Sequence, residues 1–231
     1  MKTVGIIGGI GPESTIEYYR SIIAGFRQRK PDGSSPSVLI SSLDVNQLLS
    51  WMETNQLREV TDYLLGGLQK LVRAGADFGI IAANTPHIVF EDVQRRSPIP
   101  LLSIVEATCA ESKKRGIGRA GLLGTRFTMQ ARFYPDVFSR EGITVVVPDE
   151  DEQAYLHEKY VGELLKNTFL PETRERLLEI IHRMKEQEQI QGVILGGTEL
   201  PLLLRDDTVS SIPLLDTTQI HVGAVVAELL S

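Results

Sequence analysis

Val4-Gly5-Ile6-Ile7-Gly8-Gly9-Ile10-Gly11-Pro12-Glu13-Ser14-Thr15 is the stretch whose reading decides the fold. Val4, Ile6 and Ile7 make a short apolar run without polar alternation, the pattern of a parallel strand buried on both faces. Gly8, Gly9 and Gly11 then let the backbone turn tightly and leave its N–H groups uncovered. Pro12 suits the first position of a helix, where its missing N–H costs nothing, and Glu13 complements the positive end of the helix dipole. Strand, glycine turn and helix N-terminus in this order build an anion cradle. A purely structural βα turn uses the same glycines, so the stretch fixes the βα unit and leaves its ligand open.

Outward from this loop, strands and helices alternate. Ile16 to Lys30 has helical spacing of Ile16, Tyr19, Ile22, Ile23 and Phe26, and Gln56 to Ala74 carries Val60, Leu64, Leu68, Leu71 and Val72 before closing at Gly75. Strands are expected at Val38 to Ile40, Phe78 to Ala82, Pro100 to Ser103, Ala120 to Leu123, Thr144 to Val147, Gly192 to Leu195 and Ile212 to Leu215. Further helices are expected to about Arg96, over Glu106 to Arg115, Asp149 to Lys166, Pro171 to Glu188 and Gln219 to Leu230. Asp44 to Glu53 reads as a short helix or a loop. The alternation predicts an α/β fold with parallel sheets covered on both faces.

The chain also repeats itself. Gly5-Ile6-Ile7-Gly8-Gly9 is similar to Gly121-Leu122-Leu123-Gly124-Thr125, and Ile99-Pro100-Leu101-Leu102 to Ile212-Pro213-Leu214-Leu215. Gly8 to Ala83 spans 75 positions and Gly124 to Gly197 spans 73. Two homologous α/β units follow: residues 1–103 plus 211–231, and residues 104–210. In open parallel sheets ligands bind beyond the carboxyl ends of the strands, where all four repeated loops fall. If the units face each other across a pseudo-twofold axis, the loops close on one pocket from opposite sides.

Composition narrows the function. The formal charge of −6 argues against nucleic acid or an acidic membrane surface as partner. Neither a transmembrane run nor a leader is apparent, which reads as cytoplasmic. The single Cys109 excludes an intrachain disulfide, and His87, His157, His182 and His221 lack metal-ligand spacing, so no metal site is expected.

Gly8-Gly9-Ile10-Gly11-Pro12-Glu13-Ser14-Thr15, Asn84-Thr85-Pro86-His87, Gly124-Thr125 and Gly196-Gly197-Thr198-Glu199-Leu200, in this order and spacing, resemble the aspartate/glutamate racemase superfamily over nearly the whole chain. The resemblance implies two Rossmann-like parallel-sheet domains, a homodimer, and racemisation of acidic amino acids without a cofactor. In that family a Cys-Asn-Thr and a Gly-Cys-Thr-Glu motif set one cysteine on each face of the substrate Cα. One thiolate removes the proton while the other thiol delivers a proton to the far side, a task suited to a group with a pKa of about 8.5 that is readily lowered.

Here the two cysteine positions are Ala83 and Gly197. Neither side chain can carry a proton, so these residues do not support the two-thiol reaction. What remains is binding equipment. By match to the family motifs, Asn84, Thr85, Thr125 and Thr198 are expected to hold the carboxylate and amino groups of a small amino acid or dicarboxylate. N–H groups near Gly9, Gly124 and Gly197 would assist, with Lys166 near a distal carboxylate. Asn and Thr also cap helices, and Lys166 also reads as a solvated helix-end charge. His87 and Glu199 are the titratable residues within the motif loops, and any proton transfer has to recruit one of them. Cys109 lies inside a predicted helix and reads as a small buried hydrophobe. Restoring cysteines at both positions is expected to raise racemisation. A catalytically silent ligand-binding protein is the alternative. A nucleotide-binding Rossmann protein is disfavoured by the missing third glycine of the dinucleotide fingerprint.

Overall fold

In a computed structural model of the chain, residues 2–204, 208–209 and 211–231 are described. The chain divides into two compact units, Met1–Ile104 with Thr218–Ser231, and Val105–Thr217.

The first unit runs β1 (Thr3–Gly8), α1 (Pro12–Arg29), β2 (Ser37–Ser42), α2 (Val45–Glu53), α3 (Leu57–Arg73), β3 (Phe78–Ile81), a 3₁₀ turn (Thr85–Val89), α4 (Phe90–Arg96) and β4 (Leu101–Leu102). Its strands form a parallel sheet in the order β2-β1-β3-β4. Val4 and Ile6 of β1 and Phe78 and Ile80 of β3 point to the same face. There they pack with Tyr18, Ile22 and Phe26 of α1 and with Val222, Val225, Val226 and Leu229 near the C-terminus. The buried stripe of α1 is therefore Tyr18, Ile22 and Phe26, not the expected row through Ile16 and Tyr19, which are 51% and 48% exposed. Both spacings are helical, and only the position of the sheet selects between them. On the opposite face α3 lies against β1 and β2. Its buried Leu64, Leu68 and Leu71 each contribute about 1.5–3 kcal/mol through area removed from water.

The second unit comprises α5 (Ile104–Lys114), β5 (Arg119–Gly124), α6 (Arg126–Gln130), α7 (Phe133–Ser139), β6 (Thr144–Val146), α8 (Glu150–Gly162), a 3₁₀ turn (Leu164–Lys166), α9 (Pro171–Glu188), β7 (Gly192–Gly196), α10 (Leu200–Leu203), β8 (Thr208–Val209) and β9 (Ile212–Asp216). Its sheet has the order β6-β5-β7-β9-β8, with four parallel strands and β8 antiparallel at the edge. The last helix, α11 (Thr217–Leu230), carries the chain back to the first unit. The expected return at 211 is thereby displaced to Thr218. The physical reason is that β9 pairs with β7, Val193 opposite Leu214 and Leu195 opposite Asp216, so this strand completes the second sheet before the chain leaves it. Residue 210, the other side of that expected boundary, lies outside the described residues.

Each sheet thus repeats one topology. The chain goes from its first strand to one side and then crosses back to the other, so the strand order reverses between β1 and β3 and again between β5 and β7. At such a switch point the loops leaving adjacent strands diverge and open a crevice. Gly8-Gly9 and Ala83-Asn84 leave one of these points, Gly124-Thr125 and Gly196-Gly197 the other.

Candidate active site

In the first unit the glycine loop is closed on itself. Gly9 has φ +80, and a Cβ there would meet the backbone nitrogen of Leu43 at 2.6 Å. A positive φ together with this approach restricts the position to glycine. The Gly9 N–H donates to Thr15 Oγ1 at 2.8 Å, and Thr15 Oγ1 donates to the Gly11 carbonyl at 3.1 Å. The expectation of an uncovered N–H at Gly9 is corrected accordingly: a side chain of α1 occupies that donor, because Thr15 lies one helical turn beyond the loop.

After β3, Ala83, Asn84 and Thr85 are all buried. Asn84 is in the helical region at the start of the 3₁₀ turn, and its side chain makes no capping bond there. His87 has a different fate from the one its titratability suggested. Its Nδ1 lies 2.9 Å from the Ala83 carbonyl, and the Ile104 N–H donates to its Nε2 at 3.4 Å. A carbonyl only accepts and an N–H only donates, so these partners fix the neutral tautomer with the proton on Nδ1. The ring also stacks on Phe90, with centroids 4.8 Å apart. Burial, reinforced by the nearby His221, pushes its pKa down to about 3. His87 is thus a neutral strut of the Ala83 loop, with both ring nitrogens engaged by backbone.

In the second unit Thr125 caps α6, its Oγ1 accepting from the Thr128 N–H at 3.2 Å. The capping alternative thus describes Thr125, while the glycine-rich end of β7 is built otherwise. A Cβ on Gly197 would lie 2.7 Å from Tyr160 Oη and 2.8 Å from Tyr160 Cζ. Tyr160 comes from α8 and fills the volume that a side chain at position 197 would occupy. Its hydroxyl donates a short hydrogen bond to Glu199 Oε2, and Thr198 Oγ1 donates to the same oxygen at 3.1 Å. Tyr160, Thr198 and Glu199 are 5%, 6% and 2% exposed. Burial, followed by the neighbouring Glu199 carboxylate, holds the phenol well above its ordinary pKa. Tyr160 therefore carries its proton and Glu199 receives it in a hydrogen bond.

Lys166 lies exposed on the 3₁₀ turn after α8, just before the left-handed Asn167. The expected continuous helix to Lys166 stops at Gly162. Cys109 is buried in α5, where burial and then Glu141 push its thiol up. Among the described residues no group of three His, Cys, Asp or Glu side chains could hold a metal ion, and no helix is long and apolar enough to cross a membrane.

Sequence reasoning brought Gly197, Thr198 and Glu199 to one loop but missed Tyr160. Helical position alone does not reveal which tyrosine reaches a loop 37 positions away. The available signal was steric: a glycine in a buried loop leaves a volume that a neighbour has to fill.

The model of the Asp/Glu/hydantoin racemase family matches residues 7–225. The broad specificity amino-acid racemase RacX of Bacillus subtilis is 26% identical over 219 residues, covering 93% of this chain and 92% of that protein. Among solved structures, PH1733 from Pyrococcus horikoshii, described as an aspartate racemase homologue, superposes with a TM-score of 0.84 at 36% identity over the full length of both chains. The aspartate racemase of Picrophilus torridus shares the fold, with a TM-score of 0.79 at 22% identity over 99% of this chain and 94% of that one.

Proposed function

Because the chain belongs to the Asp/Glu/hydantoin racemase family, we propose that it binds a small amino acid or dicarboxylate at its strand-end loops and acts on the α-carbon. The observation that carries this reading is the retention of both switch-point loop pairs, with Asn84, Thr85 and Thr198 buried within them. Polar side chains held at the carboxyl ends of strands in each unit suit recognition of carboxylate and amino groups. No cofactor is called for: the substrate carboxylate itself receives the electron pair left when the α-proton departs. Ala83 and Gly197 stand where the family resemblance would put the two cysteines, which argues against a two-thiol route.

Binding without turnover is the second reading, and one observation favours it. Tyr160 occupies the side-chain volume at Gly197, as it would if that face had been sealed. Proton NMR in D₂O with L- and D-aspartate, L- and D-glutamate and L-alanine separates the two. Loss of the α-proton signal supports action at Cα, whereas line broadening or shift changes without isotope exchange support binding alone. Absence of both would overturn the reading. A homodimer belongs to the same proposal, supported by the exposed Ile16 and Tyr19 on α1. Light scattering tests it, with Ile16→Lys expected to give monomers.

A further inference from the structure

We infer that Tyr160 and Glu199 form a proton-transfer pair standing in for the absent thiol at Gly197, so that the protein exchanges the substrate α-proton on one face without inverting configuration. The inference rests on the reading that a small amino acid binds at these loops.

The phenol oxygen of Tyr160 lies 2.7 Å from where the Cβ of residue 197 would be. A thiol sulfur at that residue would extend about one bond length from the same Cβ. The hydroxyl therefore falls in the neighbourhood that the missing thiol would use, although it arrives from α8 rather than from the loop. Chemistry follows. Tyr160 donates to Glu199 Oε2, so the phenol has an acceptor for its own proton, and Thr198 places a second donor on the same oxygen. All three side chains are at least nine-tenths buried, where hydrogen-bonded polar groups act in a low dielectric. A purely space-filling role requires neither the hydroxyl nor an acidic partner, and a phenylalanine would serve it.

The step balances without any further reagent. The Cα–H bond breaks and its proton passes to the phenol oxygen as the phenol proton moves to the Glu199 carboxylate. The electron pair stays on the substrate, delocalised into its carboxylate as an enolate. Reversal delivers a proton to Cα from the same face. In D₂O the carboxyl and phenol protons exchange with solvent, and deuterium enters Cα with configuration retained. Inversion requires a proton carrier on the opposite face. The Tyr160–Glu199 pair reaches Cα from one face and supplies none.

The test is α-proton exchange of the same five amino acids in D₂O, with chiral analysis of the product, on the full chain and on Tyr160→Phe and Glu199→Gln. Tyr160→Phe keeps the ring and removes the hydroxyl. Exchange is expected in the unmodified protein without accumulation of the opposite enantiomer, and to fall at least about 100-fold in Tyr160→Phe. Glu199 acts through Tyr160 and is a positioning residue. In Glu199→Gln the phenol must ionise by itself, so residual exchange is expected only as pH becomes alkaline, a change of pH profile that lost packing would not produce. Ligand binding is followed by chemical-shift changes in the same samples, and thermal melting confirms that both variants fold. Binding without exchange, exchange unaffected by Tyr160→Phe, or formation of the opposite enantiomer would each overturn the pair while leaving the binding reading intact. Absence of binding by every amino acid would overturn both.

Discussion

Tyr160 and Gly197 share one volume: the phenol oxygen of the first stands 2.7 Å from where the second would carry its Cβ. This relationship changes what can be expected from restoring a cysteine there. On sequence grounds the binding loops are retained and paired cysteines should revive racemisation. In the folded chain a thiol at 197 has to displace a buried aromatic ring held by Glu199. Gly197→Cys is therefore expected to destabilise the protein by about 1–3 kcal/mol, the usual range for overpacking, and Ala83→Cys with Gly197→Cys to show no racemisation. Adding Tyr160→Leu makes room, and the triple variant is expected to recover stability relative to the double. Urea unfolding and chiral analysis of aspartate measure the two effects.

Two buried histidines in the first unit predict an acid limit to stability. His87 is held at about 3 by burial and by His221, and His221 at about 4 by burial. His221 Nε2 donates to the Leu102 carbonyl at 3.0 Å, and because burial keeps the ring neutral, Nδ1 is left as the acceptor facing Tyr18 Oη at 2.9 Å. The unfolded chain protonates both near pH 6.5. Between that pH and the folded values the unfolded state binds more protons, so stability is full above pH 6.5 and falls as pH drops. The slope is about 1.4 kcal/mol per pH unit for each histidine. Urea titrations at pH 7.5, 6 and 5 check this. His221→Gln should show a shallower fall than the unmodified chain, and equal slopes would remove His221 as a cause.

Much of this architecture was legible in the sequence because it is written in local signals. Val4, Ile6 and Ile7 form an unalternated run, Asp44 caps α2 through the Asn46 N–H, and the spacing of the repeated glycines gives two parallel sheets. What was not legible depends on three-dimensional placement. Periodicity gave α1 its helix but not its buried face, since Ile16 and Tyr18 lie on equally regular stripes. Thr15 competing for the Gly9 N–H, and Tyr160 filling the place beside Gly197, are tertiary contacts without a local signature. His87 illustrates the same limit at the candidate site: its ordinary pKa suggests a base, but two backbone partners determine its proton.

Arg183 and Glu152 tie α9 to the first turn of α8. Arg183 Nε donates to Glu152 Oε1 at 2.8 Å, a second bond from Nη2 reaches Oε2, and the Glu152 side chain is only 6% exposed. This bidentate geometry is the strong form of the pair. Removing the cation strands a buried carboxylate, so Arg183→Ala is expected to cost about 2–4 kcal/mol, with the lower part of the range reflecting the partial exposure of the arginine. Arg183→Ala combined with Glu152→Leu should regain part of that loss, because no unpaired charge is left. Denaturant midpoints for the two variants provide the comparison, and a double variant no better than the single would contradict it.

Thr218 supplies the opposite case, a polar group that the fold does not reward. It is 3% exposed in the first turn of α11, and its Oγ1 is a buried side-chain atom without a hydrogen-bond partner among the described residues. The adjacent Thr217 Oγ1, by contrast, donates to the Leu195 carbonyl at 2.8 Å. A buried hydroxyl that gave up its water without a replacement costs about 1–3 kcal/mol. Valine has nearly the same shape and no such cost, and its stiff χ1 is readily accommodated in a helix. Thr218→Val is therefore expected to raise stability by about 1 kcal/mol, whereas Thr217→Val should lower it by a similar amount through the lost bond to Leu195. Thermal unfolding of the two single variants tests the contrast directly, since they change the same atoms at consecutive positions. A loss of stability in Thr218→Val comparable to that of Thr217→Val would mean that its hydroxyl is satisfied in the native state.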